Sequence, residues 1–378
     1  MSTLNHETRA MLDDSVSRFV QNEYTFDDRR QNLARHQGQS ERVWQTFAEM
    51  GWLSIPFTEE LGGLGGDITD TVGVMRNFGH ALITEPYPAV MQAARLLALG
   101  NNEYLKSELL PGVLEGRRQL VFAGEEVASR GNPLAVALKA EPDGDGFRLS
   151  GEKISVRHAM TASHVVVSAR HHGSYCDEAG LDLFVLPLET PGVVVTDYPM
   201  MDGQRGANIR FDGVSVSPDQ RLVDAGNAGA LILRVNAEAI LMAAAEAVGI
   251  METLVKKTVA YTRTRKQFGV ALAEFQVLQH RMADMYIETT SVDNLLAQTV
   301  TRWAGADARQ QATLASKLKA RMGQANRYVG QQAVQLHGGI GMTDELDIGH
   351  YFKRLTAIDL QMGNSEWHRK QLWRETVA

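Results

Sequence analysis

Two short segments combine residue types that can hold an anion against a flat ring. YTRTRKQFG (261–269) places Arg265 three residues ahead of Phe268 and four ahead of Gly269. The guanidinium is a permanent planar charge with forked donors suited to a pyrophosphate, and Phe-Gly sets an aromatic face beside a backbone that can be approached closely. About seventy residues later, QLHGGIGMTDE (335–345) gathers Gly338, Gly339 and Gly341 behind Gln335. Glycines so grouped let backbone amides reach an anionic or planar ligand without obstruction from Cβ. Each segment also has a plain structural reading, as a charge at a helix C-terminus or a glycine cap between helices. Their joint presence favours a binding site.

The elements that must position these segments follow from periodicity. Residues 1–115 carry helix-period apolar spacing, as in Val43, Phe47, Met50 and Leu53, broken at Pro56 with EELGGLGGD (59–67) and at EPYP (85–88). Residues 116–225 change to short Val-, Ile- and Phe-rich runs such as HVVVSAR, LDLFVLPL and GVVVTDYPM, separated by turn clusters and spaced as in an antiparallel sheet or barrel. Residues 226–378 return to three- and four-residue apolar steps over 237–265, 275–303, 307–336 and 345–376, the pattern of a four-helix bundle. The predicted fold class is α+β: an N-terminal helical domain, a middle β-barrel-like domain and a C-terminal bundle.

Composition removes other classes of function. Lys+Arg 38 against Asp+Glu 45 gives a net charge of −7 with no basic block, so nucleic-acid binding has no electrostatic support. The single cysteine, Cys176, rules out an internal disulfide framework and cysteine-based clusters, and points to a reducing compartment, so a cytoplasmic protein is expected. No metal ion is expected. The first residues are charged and lack a signal-peptide core, and the apolar runs read as shorter than the roughly 18 residues of a membrane span, so no membrane association is expected.

The segment YTRTRKQFG, followed by FQVLQHRMADM (275–285), resembles the Arg-x-x-Phe-Gly motif and succeeding helix of the acyl-CoA dehydrogenase family. QLHGGIGMTDE resembles that family's Gln-x-x-Gly-Gly-x-Gly turn, and MGWLSIPFTEELGGLGGD (50–67) its helical-domain signature. With the domain order, the resemblance spans nearly the whole chain. It implies that Arg265, Gln267, Phe268, Gln335, Gly338 and Gly339 hold the AMP half of an FAD whose flavin ring lies in a neighbouring subunit, and hence at least a dimer.

The same resemblance exposes departures. The reaction needs a carboxylate for the α-proton and flavin N5 for the β-hydride. Where most of the family places its glutamate, the matching stretch LQMGNSEWHR (360–369) has Met362. A minority of the family places the base on the first bundle helix, at the position of Ala239, with Glu238 one residue away, a turn of about 100°. Glu246 and Glu366 are the other nearby carboxylates, and each could equally be a surface or capping group. The family's flavin loop is replaced by FAGEEVASRGNP (122–133), its Trp-x-Thr tripeptide by Ser155 and Arg157, and the arginine before the long helix by Ile240.

Adenosine-side residues persist while ring pocket and base are replaced together. The expectation is a non-catalytic subunit of a heteromeric acyl-CoA dehydrogenase, an α2β2 assembly in which a partner carries the glutamate, forms a trans-2-enoyl-CoA and passes electrons to an electron-transfer flavoprotein. In this expectation the chain has no catalytic residue of its own. Two alternatives stay open: a flavin-dependent monooxygenase of the same fold, with His337 and His158 as polar groups, and a homotetrameric dehydrogenase with Glu238 or Glu246 as a relocated base.

Overall fold

The structure is a computed structural model and describes residues 2–35, 37–224 and 226–377. In chain order its helices are α1 (His6–Asn22), α2 (Phe26–Ala34), α3 (Glu41–Glu49), α4 (Thr71–Ala81), α5 (Tyr87–Leu99) and α6 (Glu103–Leu114). Strands follow: β1 (Leu120–Ala123), β2 (Lys139–Asp143), β3 (Gly146–Arg157), β4 (His164–Arg170), β5 (Leu181–Pro187), β6 (Val193–Pro199) and β7 (Arg205–Val216). The chain then runs through α7 (Ala228–Thr264), β8 (Lys266–Gln267), β9 (Val270–Ala271), α8 (Gln276–Trp303), α9 (Ala308–His337), α10 (Ile348–Leu360) and α11 (Ser365–Val377). This is the expected order of helices, sheet and helices. Contacts divide it into two compact units, one of residues up to His6, Arg30–Asp70 and Thr84–Ala239, the other of Glu7–Arg29, Thr71–Ile83 and the residues from Ile240 onward.

In the first unit, α3 shows why the opening helices form and stop. The Ser40 hydroxyl caps it by accepting from Val43 N, and its apolar face buries Val43, Trp44 and Phe47. Gly51, at φ +74, ends the run. The apolar period read through Met50 and Leu53 is therefore cut: Met50 faces solvent, and Leu53 is buried in a separate 3-10 turn. The sheet runs β1-β4-β2-β3-β7-β6, with β5 added on β4. It is antiparallel for the most part, but β1 and β4 pair in parallel, which the intervening β2 and β3 make possible. β5 is buried from Leu181 to Leu186, as in a strand covered on both faces, with Asp182 held inside by Arg221 Nε at 2.8 Å.

In the second unit, α4 and α7 meet backbone to backbone. A Cβ on Gly79 would lie 2.2 Å from the Glu246 carbonyl oxygen, and one on Gly249 2.0 Å from that of Arg76, so each helix needs its glycine. α9 starts on a reciprocal cap in which Asp307 and Gln310 accept from each other's backbone amides at 2.9 Å. The fourth bundle helix, read as continuous over 345–376, is instead α10 and α11, separated at 361–364 where Met362 (φ +53) and Gly363 (φ +81) are left-handed. Asn364 then caps α11 by accepting from Trp367 N at 2.9 Å. The expectation that no apolar run reaches spanning length is corrected by α7, which is long and apolar enough; 78% of that stretch is buried within the protein, as in a core helix.

Candidate functional site

The two anion-binding segments come together in the second unit. The ring of Tyr261, one turn before Arg265, stacks on that of His337 next to Gly338, with centroids 4.5 Å apart and planes 27° from parallel. This sets the C-terminal ends of α7 and α9 side by side. Past α7 the chain makes a tight hairpin, β8 to β9, whose two turn residues are Phe268 (φ +56) and Gly269 (φ +87). Two consecutive positive φ values suit the twist of a two-residue hairpin, but at Phe268 they are unfavourable. Phe268 is also 92% exposed, so a strained backbone holds an aromatic ring out into solvent.

Around this hairpin the expected ligands are open. Arg265, Gln267, Gln335, Gly338 and Gly339 are all exposed, and Arg265 forms no ion pair among the described residues. Gly338 has φ 67 and ψ −146, a conformation essentially restricted to glycine, and a Cβ on Gly338 or Gly339 would meet nothing within 4 Å. The glycines are thus not there to relieve crowding inside the chain. They leave a bare backbone floor at the helix end that carries the Tyr261–His337 stack, a chemistry that together with the exposed Arg265 guanidinium suits a diphosphate and its attached planar group. His337 is less available: it is buried, its Nδ1 lies 2.7 Å from the Ala333 carbonyl oxygen, and burial lowers its pKa.

The carboxylates behave in the opposite way. Glu238, in the first unit, is 1% exposed and accepts from Arg95 Nε and Nη2, each at 2.8 Å, while Arg95 Nη1 donates to the Pro56 carbonyl at 2.8 Å. Arg234 approaches the same carboxylate at 3.5 Å. Glu246, in the second unit, accepts from Arg354 Nε at 2.5 Å and Nη2 at 2.7 Å, and both side chains are buried. Neither is the surface or capping carboxylate that sequence alone allowed. Each is held by a two-pronged guanidinium bond that engages both oxygens of the carboxylate. Glu366 is exposed on the first turn of α11, within 3.7 Å of Lys370 and 3.5 Å of Arg369. Ala239 is buried and carries no functional group.

Met362 sits on a turn fixed from beneath. Lys319 of α9, fully buried, donates to the carbonyls of Ile358 and Asp359 at 2.7 and 2.9 Å. Asp359 accepts from Ser365 N at 3.1 Å, and His368 Nε2 lies 2.9 Å from the Met362 carbonyl oxygen. Sequence reading missed Lys319, Arg95 and Arg354, whose partners lie far away along the chain. A signal did exist for the last two: Glu238 and Glu246 interrupt an almost wholly apolar helix, where a buried charge requires a partner.

In the first unit, the segment replacing the flavin loop is clamped from within. Glu126 accepts from Lys153 Nζ at 2.7 Å and from the amides of Ala137 and Leu138 at 2.8 and 3.0 Å. Lys153 is fully buried, and burial draws its pKa down to about 8. Ser155 lies in a register shift of the β3–β7 pair at φ +54, and Arg157 binds Gln204. His158 is buried at the end of β3. Neither histidine offered for oxygen chemistry lies on an open surface.

Comparison with known proteins matches three family models to the chain: acyl-CoA dehydrogenase N-terminal domain over 6–117, middle domain over 125–214 and C-terminal domain over 231–376. A probable acyl-CoA dehydrogenase of Bacillus subtilis (strain 168), YngJ, is 27% identical over 343 residues, covering 89% of this chain and 90% of its own. Among solved structures, a Tcur3481-Tcur3483 steroid ACAD variant superposes with a TM-score of 0.88 at 26% identity, covering 98% of each chain. The ChsE4-ChsE5 complex from Mycobacterium tuberculosis gives a TM-score of 0.88 at 24% identity, covering 100% of this chain and 99% of that one.

Proposed function

This chain belongs to the acyl-CoA dehydrogenase family of FAD-dependent oxidoreductases, and from that premise we propose that it is the non-catalytic subunit of a heteromeric enzyme. One observation carries the reading: every residue expected on the adenosine side faces solvent, whereas Glu238 and Glu246 are locked in buried arginine pairs and Met362 stands where the family's base is expected. The partner subunit supplies the glutamate and the ring pocket. Two structural relatives are named as two-protein assemblies, which supports a partnered chain.

When bound, FAD supplies the acceptor for the β-hydride of an acyl-CoA thioester. This chain's part is to bind and orient. Arg265 neutralises the pyrophosphate, and Gln335 with the open amides of Gly338 and Gly339 receives the adenosine. Phe268, held out by its hairpin, would offer that end an apolar face against water. Proton abstraction and the enoyl-CoA product belong to the partner's side, and electrons leave to an electron-transfer flavoprotein. The acyl group is selected there too; the steroid designation of one relative makes steroid side-chain acyl-CoA the first class to assay, beside straight-chain and dicarboxylic ones. A lone exposed cysteine, Cys176, suits a cytoplasmic enzyme.

The test is co-purification with a dehydrogenase-like partner and a count of FAD. About one FAD per pair of chains is expected, with acyl-CoA oxidation by the complex and none by this chain alone. Arg265→Ala in the complex should weaken FAD retention about 10- to 100-fold, the loss of charge-assisted bonds to phosphate. A lone chain that holds FAD fully and oxidises an acyl-CoA would overturn the reading.

A further inference from the structure

Tyr261 joins the two anion-binding segments directly. Its carbonyl oxygen accepts from Arg265 N at 2.9 Å, carrying the last turn of α7 into the hairpin, and its ring stacks on His337 at the end of α9. His337 is in turn the seat of the glycine turn Gly338–Met342. Its Nδ1 donates to the Ala333 carbonyl oxygen at 2.7 Å, and buried Gly341 packs so closely that a Cβ there would lie 2.9 Å from the Cβ of His337. His337 is thereby fixed by its own helix, by the turn it precedes and by Tyr261. One helical turn before Tyr261, on the same stripe of α7, Lys257 donates to Asp347 Oδ2 at 2.6 Å. Asp347 begins α10, yet its side chain makes no capping bond to that helix and is given to Lys257 instead. Two residues four apart on one helix therefore grip the entry and the exit of residues 338–347. Both lie at the partly exposed rim of the bundle.

We propose, resting on the half-site reading above, that Tyr261 and Lys257 are positioning residues of the adenosine half-site. They hold the glycine turn at a set distance from Arg265, so that the guanidinium and the open amides of Gly338 and Gly339 meet one diphosphate-linked ligand together. Arg265 and Gly338 follow the ends of two different helices, α7 and α9, and their separation is set by what ties those ends. A pair tied in advance spares the ligand the cost of ordering it on binding.

The experiment measures FAD release from the loaded assembly, read as flavin fluorescence regained on dilution, with melting temperatures beside it. Tyr261→Leu removes the stack and should speed release about 3- to 10-fold, whereas Tyr261→Phe keeps it and should stay within about two-fold of the parent. Lys257→Met acts at a partly exposed position that leaves the bundle folded; it and Asp347→Asn each lose the second tie and should speed release about two- to five-fold. In an Arg265→Ala background the cost of Tyr261→Leu should shrink to under about two-fold, because no guanidinium is left to be placed, whereas a purely structural role would exact the full cost again. Unchanged release in both Tyr261→Leu and Lys257→Met, a Tyr261→Phe variant as impaired as Tyr261→Leu, or full additivity with Arg265→Ala would overturn the proposal. An Arg265→Ala assembly that holds FAD like the parent would overturn the half-site reading itself, and the proposal with it.

Discussion

Replacing Arg354 by methionine while Glu246 is kept would leave a carboxylate buried with its two-pronged partner removed. Both side chains are shielded, Glu246 at 4% exposure and Arg354 at 3%, and the bonds between them are 2.5 and 2.7 Å long, so water cannot take over from the missing guanidinium. Removing one member of such a pair costs about 3–5 kcal/mol. At about 1.3 °C per kcal/mol for a chain of 378 residues, the melting temperature falls by about 4–6 °C. Glu246→Gln should lose stability in the same way, because it strands the arginine. The double variant Glu246→Leu with Arg354→Met removes both charges and should recover most of the loss, since a buried pair exchanged for apolar groups is often neutral. Scanning fluorimetry gives the melting temperatures, and acyl-CoA oxidation by the reconstituted complex gives the function, expected to stay within about two-fold in every variant that still folds. A Glu246→Gln protein that melts like the parent but has lost all turnover would refute the reasoning, because it would make Glu246 a base rather than one half of a structural pair.

Two further outcomes follow from the same geometry. Gly338→Ala forces a side chain into φ 67 and ψ −146 and should cost about 1–3 kcal/mol, whereas Gly339→Ala, with open space and no positive φ, should leave the melting temperature unchanged and still lower FAD retention by blocking the amide floor; differential scanning calorimetry with FAD release separates the two. Burial opposes the charge on Glu252, but hydrogen bonds from His80 and Arg76 outweigh it and hold the carboxyl at about 2, so the stabilisation is complete above about pH 4.5 and is lost as pH falls towards 2. Glu252→Gln should flatten that acid limb in a plot of melting temperature against pH.

The fold was legible where periodicity was strong. Strands β4, β5 and β6 coincide with the apolar runs; β4 and β5 are buried along almost their whole length, whereas β6 shows its run on a strand that stays half-exposed. The hairpin and the glycine turn were legible for a different reason: Arg265, Gln267 and Phe268 lie within four residues and Gln335, Gly338 and Gly339 within five, so local spacing already implies proximity within each segment. The partners of Glu238 and Glu246 were not legible, since Arg95 and Arg354 lie 143 and 108 residues away and no local rule connects them. The break in the fourth helix was readable in principle. Gly363 followed by Asn364 is a left-handed stop next to a capping residue, but the apolar period continues across it and masked the signal.

The exposed hairpin and glycine turn and the pair of sequestered carboxylates are more than two independent facts. Burying a carboxylate against arginine is costly unless both charges are fully bonded, and Glu238 and Glu246 each meet that condition in the interior. Phe268 makes the complementary commitment outward. Its backbone is unfavourable at φ +56, and its ring, 92% exposed, meets Phe275 edge-on with centroids 6.2 Å apart and otherwise stands open for another surface or a ligand to cover. Interior charges that are already satisfied, beside an exposed aromatic on a strained backbone and an exposed arginine, are what the proposed subunit, completed by what binds to it, would require.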